Sequence, residues 1–206
     1  MNRRRFLQTS GVLACGFTGA TSFSVLQAAN APAQGPNILG PRAGFSPQVG
    51  TLVSMLNWMR TAILQPVQGL TMAQLDHLQD EKANSIGALL LHLAAIESLY
   101  QVHTFEGKKW GDVHAETEKD WGAAARLGDE ARRSIKGHEL PYYLSKLKEV
   151  REHTLAELRK RDDAWLMDFD ASAAEPFNNY CKWFHVCEHE SHHNGQITWL
   201  KGRLPA

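Results

Sequence analysis

Three cysteines in 206 residues are too few for a disulfide scaffold. No stretch alternates apolar and polar residues between hairpin turns, so no sheet is expected. Neither sign of charge is in excess, with 22 Lys+Arg against 22 Asp+Glu. The body of the chain carries no basic run, which argues against nucleic acid as a partner. Wholesale disorder is excluded as well, because 43% hydrophobic residues supply enough apolar surface for a core. The length suits one domain, with room for an appendage. The residue present in surplus is histidine. There are ten, and His185, His189, His192 and His193 fall within nine positions.

The neutral balance is unevenly built. Residues 1–33 hold Arg3, Arg4 and Arg5 and no acid, so residues 34–206 hold 19 basic against 22 acidic side chains, net −3. A basic start, a mildly apolar run rich in Gly, Ser and Thr, and then small residues form the pattern of a signal peptide. Arg3-Arg4-Arg5-Phe6-Leu7-Gln8 resembles the twin-arginine export motif, with Asn2 where Ser or Thr is commoner. Ala31-Pro32-Ala33 ahead of Gln34 fits the cleavage rule, and Ala29-Asn30-Ala31 is the alternative. Polar residues interrupt the run from Gly11 to Leu26, which falls short of the roughly 20 apolar residues of a membrane span. The expectation is export to the periplasm with no stable span after cleavage. The Pro- and Gly-rich residues 34–45 read as a linker, and 46–206 as the folded domain.

Within that domain the apolar residues recur at helical spacing in four segments, which predicts an all-α four-helix bundle. Leu52, Met55, Leu56, Met59 and Ile63 form the face of the first, ended by Pro66 and Gly69. The second begins at a cap, Asn84 or Ser85, and carries Ile86, Leu89, Leu93, Ile96 and Tyr100. The third has Pro141 in its first turn, followed by Tyr143, Leu147, Val150, Thr154 and Leu158. The fourth runs from about Asn178 to Lys201, where Gly202 and Pro205 stop it. A short extra helix fits residues 123–135, in the polar connection between the second and third.

On the fourth helix His189 and His193 lie one turn apart on one face, the i,i+4 spacing with which two imidazoles grip one metal ion. Burying imidazoles without a partner is costly, and coordination removes that cost. His92 sits in the apolar stripe of the second helix, where a lone histidine is more often a hydrogen-bonded core residue. His185 and His192 read as supporting or surface residues. Residues 189–193, His-Glu-Ser-His-His, also satisfy the short zinc-peptidase pattern with Glu190 as general base. No Asp or Glu follows Glu190 to serve as a downstream ligand, so a third ligand must come from upstream. Cys181 and Cys187 are about 9 Å apart along one helix and are expected to be free, buried thiols.

The fourth helix, WFHVCEHESHHNGQITWLKGRLP, resembles the C-terminal motif of the DinB-like (DinB/YfiT-like) metalloenzymes, and SIGALLLHLAAIE resembles their first-ligand segment. The resemblance implies a four-helix bundle holding one divalent metal by His92, His189 and His193, with Asn194-Gly195-Gln196 completing the motif. The family often has Arg where Asn194 stands. Nitrogen donors suit Zn first and Ni next, with Fe and Cu compatible. Glu97 and Gln196 are candidates to support the ligands. The resemblance further implies a thiol-dependent transferase or isomerase using glutathione, mycothiol or bacillithiol. Two alternatives stand beside it: a metal-dependent hydrolase with Glu190 as the catalytic base, and a non-catalytic metal-binding or stress protein. The substrate is a small molecule of unidentified chemistry, and whether the domain pairs as a homodimer is left open.

Overall fold

The computed structural model describes residues 35, 37–109, 115–169 and 176–205. The expected leader, residues 1–33, and parts of the linker lie outside them. Among the described residues the fold is all-α, with Phe169 and Asn178 forming an isolated bridge and no strand.

Four long helices occupy the four predicted segments: α1 (Pro47–Val67), α3 (Ile86–Thr104), α6 (Leu140–Leu158) and α8 (Asn179–Lys201). Their starts follow side-chain chemistry. The Ser85 hydroxyl accepts the Ala88 amide at 3.1 Å, and Asn178 Oδ1 accepts the Cys181 amide at 2.8 Å, each satisfying an orphan donor of a first turn. Pro141 lies in the first turn of α6. Pro66 falls inside the last turn of α1, one residue before its end, and Gly69 then reverses the chain at φ 73°.

The short helices depart from expectation. The extra helix expected over 123–135 is two: α4 (Ala115–Arg126) and α5 (Gly128–Ser134). Leu127 and Gly128 break them apart with φ of 57° and 70°. Two more were not anticipated: α2 (Met72–Asp76), opened by a reciprocal Thr71–Gln74 capping box, and α7 (Asp163–Met167), capped by Asp162.

α8 packs on α1 and α3, α3 on α6, and α6 on α1, which closes the bundle, while α4 covers the outside of α3. Surrounded in this way, α3 is apolar on nearly all sides. By length and composition alone α3 would suffice to cross a membrane, yet 78% of its apolar window is buried among the other helices. At Gly87 an added Cβ would lie 2.6 Å from the Tyr143 hydroxyl, so glycine there lets α6 approach α3. The apolar core falls into two clusters. One holds Ile63, Leu89, Leu93, Leu147 and Ile197, and the other Leu52, Leu56, Leu158, Val186 and Trp183. Each long helix contributes to both, and the residues between the two clusters are polar.

Candidate metal centre

The polar layer begins with one charged residue from each long helix: Arg60 on α1, Glu97 on α3, Arg151 on α6 and Glu190 on α8, all buried. Arg60 donates to Glu97 Oε2 at 2.7 Å and to Glu190 Oε1 at 2.6 Å. Arg151 donates to Glu97 Oε1 at 2.7 Å and to Glu190 Oε1 at 2.9 Å. The two guanidinium groups also cross: Arg60 reaches the Leu147 carbonyl of α6 at 2.6 Å, and Arg151 the Leu56 carbonyl of α1 at 2.7 Å. Thr154 adds a hydroxyl donor to Glu97 at 2.6 Å. Two positive and two negative groups give a neutral, nearly saturated cluster, the condition under which buried charge is tolerated. Burial alone would raise the Glu97 pKa, but Arg151 and Arg60 outweigh it and hold the carboxyl at about 2. Glu190 Oε2 is the exception, buried without a hydrogen-bond partner.

Directly beside this layer stand the three histidines. One ligand nitrogen from each of His92, His189 and His193 lies within 4.8 Å of the others. The Nε2 atoms of His92 and His189 face each other at 2.9 Å. The far sides of two rings are fixed. His92 Nδ1 donates to the Ala124 carbonyl of α4 at 2.8 Å, and His193 Nδ1 donates to Gln196 Oε1 at 2.9 Å. A proton placed on Nδ1 leaves Nε2 with its lone pair free, the tautomer a metal ion requires. Burial lowers the pKa of all three, His189 to about 3 and His193 to about 4. For His189 and His193 the neighbouring histidines push the same way. At neutral pH the rings are therefore uncharged donors, and they fit one divalent transition metal with coordination positions to spare.

The remaining histidines among the described residues lie outside this group. His185 Nδ1 is 2.7 Å from the Tyr100 hydroxyl, and its ring centroid is 5.5 Å from that of His189. His192 is exposed at the edge of His193, and His103 contacts the Lys108 carbonyl. Gln196 accepts a hydrogen bond from His193. Glu97 instead serves the ionic layer. Glu190, expected as a base, also belongs to that layer through Oε1. Both α8 cysteines are free, but Cys181 is exposed, correcting the expectation that both are buried. Burial first, and then the Glu190 charge, push the Cys187 thiol up to about 12, so it stays protonated at neutral pH.

Sequence reading missed Arg60, Arg151 and the Ala124 carbonyl. The arginines had a signal. Arg60 lies between Leu56 and Ile63, and Arg151 between Leu147 and Thr154, each a charge inside an apolar stripe. The carbonyl had none, since every residue carries one.

The fold resembles the crystal structure of a conserved protein from Enterococcus faecalis, with a TM-score of 0.54 at 14% identity over 73% of this chain and 92% of that one. No curated protein matches the sequence significantly. The mycothiol-S-transferase family, however, matches residues 51–205, a span that takes in all four long helices except the first turn of α1, and with them every histidine of the site. By that match the chain belongs to the mycothiol-S-transferase family, within the DinB/YfiT-like superfamily.

Proposed function

We propose that the protein is a metal-dependent S-transferase that joins a low-molecular-weight thiol to an electrophilic small molecule. The observation that carries this is the convergence of three neutral imidazoles, two of them locked by Ala124 and Gln196, on a chain of the mycothiol-S-transferase family. A divalent cation held by His92, His189 and His193 would lower the pKa of a thiol beside it, so that the nucleophilic thiolate forms near neutral pH. Zinc is the first candidate and nickel the second; iron and copper also accept nitrogen donors. The rest of the task falls to this chain's own residues. Ala124 and Gln196 hold the imidazole tautomers. The Arg60–Glu97–Arg151–Glu190 layer fixes α8 against α1, α3 and α6, so His189 and His193 meet His92 in register.

Glu190 is then a positioning residue, because the acceptor capacity of its Oε1 is spent on Arg60 and Arg151. The hydrolase alternative draws on the one unpaired oxygen, Oε2. Export belongs to the proposal on sequence grounds alone, and replacing Arg3 and Arg4 by lysine should retain the protein in the cytoplasm.

The test is metal content together with conjugation of 1-chloro-2,4-dinitrobenzene to mycothiol or glutathione. Wild-type protein should hold one metal per chain and turn over with thiol. His92→Ala and His189→Ala should lose both the metal and the turnover while keeping helical circular dichroism. Stoichiometric metal in either variant refutes the site. A metal-loaded wild type without thiol-dependent conjugation refutes the transferase.

A further inference from the structure

Gly195 stands inside α8, where glycine is unfavourable relative to alanine. Such a residue is usually explained by backbone conformation or by close packing. Neither applies. Gly195 is not among the residues of positive φ, and a Cβ built on it meets nothing within 4 Å among the described residues. Gly87, whose missing Cβ admits Tyr143, shows the contrast. The space left open at Gly195 belongs to a groove of about 530 Å³ between the start of α3 and the end of α8, a volume suited to a small organic ligand.

The groove adjoins the three histidines through both of its helices. Leu89 lines it one turn before His92, and Gln196 lines it one turn after His193, about 4.5 Å along each axis. Gln196 is also the residue that holds His193. Leu89, Trp199 and Leu200 make the wall apolar. Trp199 is 49% exposed, which leaves part of its ring open to the groove. The Arg203 guanidinium braces it, 3.9 Å from the ring centroid.

We propose that this groove seats the acceptor of the S-transfer, an apolar, flat electrophile that stacks on Trp199, and that Gly195 is glycine to leave room for it. The proposal rests on the S-transferase reading. Cellular thiol carriers are hydrophilic, so an apolar wall suits the electrophile rather than the thiol. In the step it serves, the thiol proton passes to solvent and the thiolate sulfur forms a bond to the electrophilic carbon. The bond from that carbon to its leaving group breaks, and the group departs with the electron pair. With 1-chloro-2,4-dinitrobenzene the leaving group is chloride.

The experiment titrates metal-loaded full-length protein with 1-chloro-2,4-dinitrobenzene in the absence of thiol, by calorimetry and by the shift of the Trp199 indole N–H resonance. Conjugation is then measured with thiol present. Gly195→Leu should weaken binding by about tenfold or more, and Gly195→Ala by less, with metal content unchanged in both. Trp199→Ala, at a half-exposed position, should weaken binding similarly and carries the test if Gly195→Leu fails to fold. Unchanged affinity in a folded, metal-loaded Gly195→Leu or Trp199→Ala variant overturns the proposal, as does absence of binding to the wild type. Binding that these variants lose, without any thiol-dependent product, would refute the transferase while the groove stands. Conjugation with an unaltered KM for the dinitrobenzene in both variants would refute the groove while the transferase stands.

Discussion

The side chain that decides how well His193 can serve a metal is Gln196, one turn away, whose Oε1 accepts the Nδ1 proton at 2.9 Å. Without that acceptor the proton is free to move to Nε2, and the ring loses both its tautomer and its orientation. Gln196→Leu should therefore weaken metal binding by about 10- to 100-fold, read by competition with a chromogenic chelator. Wild-type affinity would mean that packing alone fixes the ring. At this scale much of the site was legible. His189 and His193 stand out by their i,i+4 spacing, and Gln196 by its place in the motif. His92 is harder, because one histidine in an apolar stripe looks like any satisfied core residue until a partner helix is known. Glu190 shows what a short pattern leaves unsettled. His-Glu-x-x-His places a carboxylate beside two ligands in any helix, but whether it faces a substrate or a guanidinium depends on α1 and α6, which no local spacing encodes.

The layer of Arg60, Glu97, Arg151 and Glu190 belongs to the scale of elements, since each helix supplies one member and none is satisfied within its own helix. Arg151→Met would leave two carboxylates facing the single charge of Arg60. A loss of about 3–5 kcal/mol is expected, read as a lower urea midpoint. The double variant Glu97→Gln/Arg151→Met restores charge balance and should recover part of that loss, an interaction that a double-mutant cycle measures. Acid should act on the same layer. Glu97 titrates at about 2 in the folded protein against 4.5 ordinarily, so the unfolded chain binds more protons between those values. The contribution of Glu97 is complete above about pH 4.5 and is lost as pH falls through 2. Chemical denaturation at pH 6 and at pH 3 should show the decline in wild type, and Glu97→Gln should flatten it. The long helices were legible from their apolar spacing and caps. α2 was missed despite its Thr71–Gln74 capping box, because five residues carry too little periodicity to announce a helix. The split of α4 from α5 hinges on positive φ at Leu127 as well as Gly128, and leucine gives no warning of that.

For the whole molecule the question is whether metal builds the fold or uses it. The three histidines come from α3 and α8, which pack on each other, and both core clusters and the ionic layer are built from contacts between protein groups alone. This differs from a small zinc domain, whose apo chain has no core to fold around. The bundle should therefore remain folded and unfold cooperatively after chelation, with helical circular dichroism retained at 25 °C. Metal should then act as a ligand of the native state. At a free concentration about 100 times its Kd it adds about 2.7 kcal/mol, which for a domain of this size raises Tm by about 5–10 °C. Calorimetry of chelated and metal-loaded protein reads that shift. His189→Ala should melt at one temperature whether or not metal is present, because it lacks a ligand but keeps the scaffold. An apo protein without a cooperative transition would mean that the three imidazoles need the ion to be buried at all, and that the ionic layer is too weak to hold the four helices by itself.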